Sequence, residues 1–150
     1  MSPSVLVDSN VVVYAYDQAA GRKQQQALFV LRQLVRSGHG HLSTQVLGEF
    51  FRVATRKLHR PLTAEDAYDQ VSLLASTWPV LSVTPLISIE AARGARDHRL
   101  PFWDAQLWAT ARLNQVALVF SEDFADGHLI DGVRFRNPFA AAFDLTQALA

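Results

Sequence analysis

Short unbroken apolar runs alternate along this chain with longer stretches of helical period. Val5-Leu6-Val7 is an apolar run closed by Asp8-Ser9-Asn10, which predicts a buried strand followed by a polar turn or helix start, with Asp8 at the strand's carboxyl end. From about Arg22 to Arg36, Ala27, Leu28, Leu31, Leu34 and Val35 recur at helical spacing until Ser37-Gly38 stops them. His39-Gly40-His41-Leu42 is a weak short strand. Ser43 or Thr44 can then cap a helix whose apolar side includes Val46, Leu47, Phe50 and Val53, and which contains Glu49. Pro61 ends that segment, and Thr63-Ala-Glu-Asp66 resembles a capping box opening a helix through about Ser76. Val80-Leu81-Ser82-Val83 predicts a strand. Thr84-Pro85 supplies a cap and a proline at the first helical position, so the next helix should run to about His98. After Pro101, Phe102 to Leu113 is helical by period, with Asp104 in its first turn. Ala117-Leu118-Val119-Phe120 is an apolar strand ending in Ser121-Glu122-Asp123, and a further short strand is expected near Val133-Arg134-Phe135.

Strands alternating with helices imply a short central parallel sheet with helices on both faces, because parallel neighbours need crossover connections. The expected class is α/β, as one domain over residues 1–150. In open sheets of this kind ligands bind outside the carboxyl ends of the strands, where Asp8 and Asp123 fall although they are more than a hundred positions apart. No internal repeat, low-complexity tract, interdomain linker or Gly-rich phosphate loop is present.

Composition narrows the chemistry. With 49% hydrophobic and 19% charged residues the balance is globular, and 150 residues suffice for one core. The absence of cysteine removes disulfides, thiol nucleophiles and zinc-thiolate sites, and suits a reducing compartment. Met1-Ser-Pro-Ser-Val-Leu-Val-Asp8 has no basic leader and its apolar run is short, so neither a signal peptide nor a membrane span is expected there. Fourteen basic residues balance fourteen acidic ones, so attraction to nucleic acid must come from local charge placement rather than net charge.

The acids at strand ends and helix starts are the candidates for chemistry. Taken singly, Asp8 is also a turn residue or helix cap, and Asp104 also suits the positive end of a helix dipole. Glu49 borders an apolar stripe, with Val46 and Val53 at helical neighbour positions, where an unpaired carboxylate is expensive. Four acids on one rim would raise one another's proton affinities unless a cation were present. Magnesium prefers hard oxygen ligands, keeps several waters, and is held by a few carboxylates together with substrate phosphate oxygens. One or two such ions could orient a water for in-line attack on a phosphodiester.

Asp8-Ser-Asn10 after the first strand, Gln45-Val-Leu-Gly-Glu49-Phe50, Phe102-Trp-Asp104-Ala105 and Ser121-Glu-Asp123-Phe124 resemble the successive motifs of PIN-domain nucleases. The closest resemblance is to VapC-like toxins of toxin-antitoxin pairs, and Gly132-Val-Arg-Phe-Arg-Asn137-Pro-Phe139 is similar to the end of many such chains. The resemblance spans Val5 to Phe139. It implies a PIN-like three-layer fold and a ribonuclease whose four acids are Asp8, Glu49, Asp104 and Asp123. Ser9 and Asn10 would support the first acid, and Ser121 stands where the family usually has Thr or Ser. Magnesium, with manganese as substitute, is the implied cofactor. The implied setting is a cytoplasmic homodimer restrained by a cognate antitoxin, with RNA as substrate and no membrane. Many relatives carry another Asp shortly after the fourth acid, whereas here Phe124 follows Asp123 and the next acid is Asp126, so the acid completing a second metal site is open. Glu122 reads as a solvated neighbour, and Asp131-Gly132 as a turn.

Arg93 and Arg96 precede Asp104 and could contact RNA phosphates; so could Arg52, Arg56, Lys57 and Arg60, although a solvated helix face explains them too. His39 and His41 lack a third ligand at metal spacing and suit a surface turn. Trp78, Trp103 and Trp108 sit in apolar periodic contexts and read as core or interface residues. The rival readings are a PIN-like module that only docks RNA or protein, a non-toxin RNA-processing nuclease, and a phosphotransferase with an acid after strand one. Keeping all four acids weighs against the first. Against the last, Asn10 stands where a haloacid-dehalogenase-type enzyme needs a second Asp, and no acidic pair of the receiver type precedes a phosphorylatable Asp.

Overall fold

The structure, a computed structural model, describes residues 3–150. Met1 and Ser2, the start of the segment expected to lack a leader, lie outside the described residues. Six strands form one sheet in the order β3-β2-β1-β4-β6-β5. These are β1 (Val5–Val7), β2 (Gly40–Ser43), β3 (Val80–Leu81), β4 (Leu118–Phe120), β5 (Leu129–Ile130) and β6 (Val133–Arg136). The first four and β6 run parallel, whereas β5 returns antiparallel to β6 through Asp131-Gly132. The sheet is therefore mixed rather than wholly parallel, because two strands joined by so short a turn can only pair antiparallel. At the centre, Val5, Leu6 and Val7 are all fully buried, as an unbroken apolar strand covered on both faces must be.

Seven α-helices surround this sheet in the described residues: α1 (Ser9–Tyr16), α2 (Arg22–Ser37), α3 (Thr44–Arg56), α4 (Ala64–Thr77), α5 (Pro85–His98), α6 (Phe102–Leu113) and α7 (Leu145–Ala148). One group, α1 to α4, packs on itself, and α5 packs on α6, giving a three-layer α/β architecture. The ends follow local chemistry. Ser43 Oγ accepts from the Val46 N–H, Thr63 Oγ1 from Asp66 and Thr84 Oγ1 from Ile87, so each hydroxyl satisfies an otherwise unpaired donor of its helix. Gly38 ends α2 in the left-handed region at φ 72°.

Two boundaries differ from expectation. β3 stops at Leu81 because the Val83 N–H leaves the ladder and donates to Thr44 Oγ1 at 3.1 Å. The α3 helix ends at Arg56, well before Pro61. The segment beyond returns to it instead, with the Leu62 N–H on the Ala54 carbonyl. A 3-10 turn at Gln18–Ala20, strand β5 and helix α7 carry too few residues to show a period, and the sequence pattern did not predict them. Among the described residues no helix is long and apolar enough to cross a membrane.

Candidate active site

Asp8 directly follows β1, and its backbone N–H donates to the Phe120 carbonyl of β4, which fixes it at the carboxyl end of two adjacent parallel strands. It also caps α1, so the turn-and-cap role and the candidate chemical role coincide. Oδ1 accepts from the Ser9 N–H at 2.7 Å, and Oδ2 accepts from Ser121 Oγ at 2.7 Å. Asn10 Nδ2 donates to Asp8 Oδ2 at 3.3 Å and to Ser121 Oγ at 3.2 Å. Ser9, Asn10 and Ser121 thus all donate to the Asp8 carboxylate. Asp8 is only 5% exposed. Burial pushes its carboxyl up to about 7 despite the bonds from Ser121 and Ser9, and the charges of Glu49 and Asp123 add to the rise.

The other three acids approach from separate elements. Glu49 lies on α3, half-buried, with Gln45 Nε2 at 3.5 Å. Burial raises its carboxyl; hydrogen bonding from Gln45 and Ser9 and the Arg52 charge oppose the rise, while Asp104 adds to it. Asp104, in the first turn of α6, is half-buried and raised by burial first and by Asp123 second. Asp123 is exposed beyond β4, and its backbone N–H donates to Ser121 Oγ at 3.1 Å. One hydroxyl, Ser121, therefore ties the first acid to the loop carrying the last. The four carboxylates form a closed circuit of like-charge influence: Asp8 with Glu49, Glu49 with Asp104, Asp104 with Asp123, and Asp123 with Asp8.

Among the described residues, no three His, Cys, Asp or Glu side chains already stand as a finished ligand set. The donor chemistry nevertheless fits a hard divalent cation. The available atoms are carboxylate, hydroxyl and amide oxygens, and Asn10 Oδ1 is buried beside Asp8 with no hydrogen-bond partner.

The remaining candidates lie apart. Glu122 is not a solvated neighbour: it accepts from the Tyr14 hydroxyl and pairs with Lys23 Nζ at 2.9 Å. Asp126 is taken up by Arg136 and the Asn137 N–H. Asp131 sits in the expected turn at φ 45°, before the amino end of β6, and so at the end of the sheet opposite Asp8. There it holds Arg93 Nη2 at 3.2 Å and His98 Nε2 at 3.0 Å. Arg93 is further engaged by Glu90 and Asp97, and Arg96 by Asp97. The structure does not bring these two arginines together with the four acids. His39 is half-buried, and His41 lies in β2 rather than a turn. Trp78 and Trp108 are core residues, but Trp103, beside Asp104, is 63% exposed.

Two features escaped the sequence reading. Gln45 Nε2 donates to the Trp103 carbonyl at 2.9 Å and Gln45 Oε1 accepts from Gln106 Nε2 at 3.0 Å, clamping α3 to the first turns of α6. The signal was present in the Gln45-to-Glu49 spacing of one helical turn. The Tyr14–Glu122–Lys23 group joins residues about a hundred positions apart, and no local pattern announces it.

A family model described as the PIN domain matches residues 5–125. No curated protein matches. Among solved structures, a chain of a toxin-antitoxin complex from Klebsiella pneumoniae is 18% identical with a TM-score of 0.65, over 91% of this chain and 98% of that one. A sarcin-ricin-loop-cleaving toxin of Mycobacterium tuberculosis is 20% identical with a TM-score of 0.59, over 77% and 87%. A chain of a DNA-bound VapBC structure from Salmonella typhimurium is 16% identical with a TM-score of 0.64, over 91% and 98%. At these identities the likeness is one of fold.

Proposed function

Since this chain belongs to the PIN-domain family, we propose that it is a metal-dependent endoribonuclease that hydrolyses RNA phosphodiester bonds at Asp8, Glu49, Asp104 and Asp123. The observation that most supports this reading is the burial of Asp8 at a strand end within the field of two further acids, an arrangement that is unfavourable unless a cation neutralises it. Magnesium, or manganese in its place, would supply Lewis acidity toward the phosphate and an activated water. The chain's own residues set the stage for that chemistry. Ser121 and the Ser9 N–H hold the two Asp8 oxygens in fixed directions, and the unpaired Asn10 Oδ1 offers a further acceptor to a bound ion or its water. Helices α3 and α6, clamped by Gln45, carry Glu49 and Asp104 to the same rim, and exposed Asp123 leaves its outer side open to substrate. No side chain becomes covalently attached to RNA.

The same reading makes the chain the toxin of a toxin-antitoxin pair, a cytoplasmic homodimer restrained by a cognate antitoxin protein. Likeness to chains solved in toxin-antitoxin complexes supports such a partner.

The test is cleavage of structured and unstructured RNAs by purified protein with magnesium, manganese or excess chelator. Cleavage should require the divalent ion. Asp8→Asn and Asp104→Asn should each lower the rate roughly a thousandfold or more while leaving the circular dichroism spectrum intact. Equal cleavage in chelator, or undiminished cleavage by the folded variants, refutes the mechanism. Metal-stimulated cleavage without growth inhibition on expression would favour an RNA-processing role over a toxin.

A further inference from the structure

Beside the acids lies an open groove of about 610 Å³ whose lining includes Gln45, Gly48, Glu49, Arg52, Trp103 and Gln106, a volume in the range of small-ligand clefts. Glu49 belongs to both the groove and the acid rim, so whatever occupies the groove adjoins the reacting phosphate. Three features give it a nucleotide's complement. Trp103 presents 63% of its surface to solvent, with the Phe102 ring set edge-on against it at a centroid distance of 5.1 Å and an angle of 82°. Its backbone is immobilised by Gln45, which is braced in turn by buried Gln106. Arg52, one helical turn beyond Glu49, is exposed and makes no ion pair among the described residues, unlike Arg93, Arg96 and Arg112. An exposed indole on a backbone held by Gln45, next to a guanidinium that makes no ion pair among the described residues, with small and amide side chains around them, matches a base-stacking platform with a phosphate contact.

We infer that this groove seats one unpaired nucleobase of the RNA, stacked on Trp103, with Arg52 on the flanking backbone phosphate. The inference rests on the ribonuclease reading and deepens it: the substrate must present a single-stranded nucleotide immediately beside the scissile bond, because a base held in a duplex cannot offer its face to an indole.

Tryptophan emission provides the test, since Trp78 and Trp108 are buried and only Trp103 is exposed. A short single-stranded oligoadenylate added in chelator should quench the exposed emission. A duplex of equal length should not, and Trp103→Phe supplies the blank. Trp103→Ala should raise Kd roughly tenfold and raise KM more than it lowers kcat, with Trp103→Phe recovering most of the loss. Arg52→Ala should weaken binding and flatten its salt dependence. Binding of the single strand, followed by fluorescence polarisation, without any change in Trp103 emission overturns the inference while leaving the nuclease reading intact. Quenching by the single strand in a protein that cleaves no RNA supports the groove and sinks the nuclease. A protein-concentration-dependent blue shift of Trp103 without RNA overturns the inference too, by showing that a second copy covers the indole.

Discussion

A single buried carboxylate makes the fold less tolerant of rising pH. Asp8 titrates near 7 in the fold against an ordinary value of 3.8, so the folded state holds the proton more tightly than the unfolded chain does. Below about pH 4 the group is neutral in both states and contributes nothing. As pH rises from about 4 to about 7, the fold loses stability, and above that the full penalty persists. In chelator, Asp8→Asn should therefore match the wild type near pH 4 and exceed it by up to about 4 kcal/mol near pH 8, read from denaturant unfolding at each pH. A constant difference across that range would show that Asp8 is not strained by ionisation. Ser121 acts in the opposite direction, since its hydroxyl favours the ionised form of Asp8. Ser121→Ala should raise the magnesium concentration needed for half-maximal thermal stabilisation by roughly tenfold, the effect of one lost hydrogen bond to a charged group.

At the scale of elements, α5 and α6 meet through a glycine that leaves room for a tryptophan. A Cβ at Gly94 would approach the Trp108 ring to 2.5 Å, and Trp108 cannot easily retreat because it is fully buried and its Nε1–H donates to the Ile130 carbonyl. Gly94→Ala should lower the unfolding midpoint by an amount equivalent to about 1–3 kcal/mol, although alanine is the better helix former; a stabilised variant would contradict this packing. Elements with strong period or local caps were legible in the sequence. Thr84-Pro85 marked the start of α5 to the residue because the Thr84 hydroxyl caps it locally, and Pro101 marked that of α6 because a proline restricts the backbone of the residue before it rather than by a side-chain cap. The lengths of β3 and α3 were not legible, since Val83 and Leu62 turn away to partners elsewhere in the chain. At the candidate site the position of Asp8 at the end of β1 was legible, because an apolar run closed by an acid is a local pattern. The fate of Glu122 was not, as it is decided by Lys23, distant in sequence; Arg93 pairs with Glu90 and Asp97 at helical spacings and with Asp131 across the fold, and only the last of these lay beyond local pattern.

For the whole molecule, relieving one rim of like charge should stabilise every layer that meets there. Addition of magnesium, manganese or calcium to the chelated protein should raise its Tm, with a gain of about 2.7 kcal/mol when the ion stands a hundredfold above its dissociation constant. Asp8→Asn should start from a higher Tm at neutral pH and gain less from the ion. An equal response would place the ion elsewhere. The sheet itself bears on how other macromolecules can attach. Its two outermost strands, β3 and β5, are each only two residues long. Neither offers the run of free amide and carbonyl groups on which a foreign strand could zip, so the sheet is closed to growth at both margins. A protein partner must accordingly grip side chains on the helical flanks or the acidic rim. Changes in its affinity should then track substitutions of surface side chains, while its backbone contributes little to recognition.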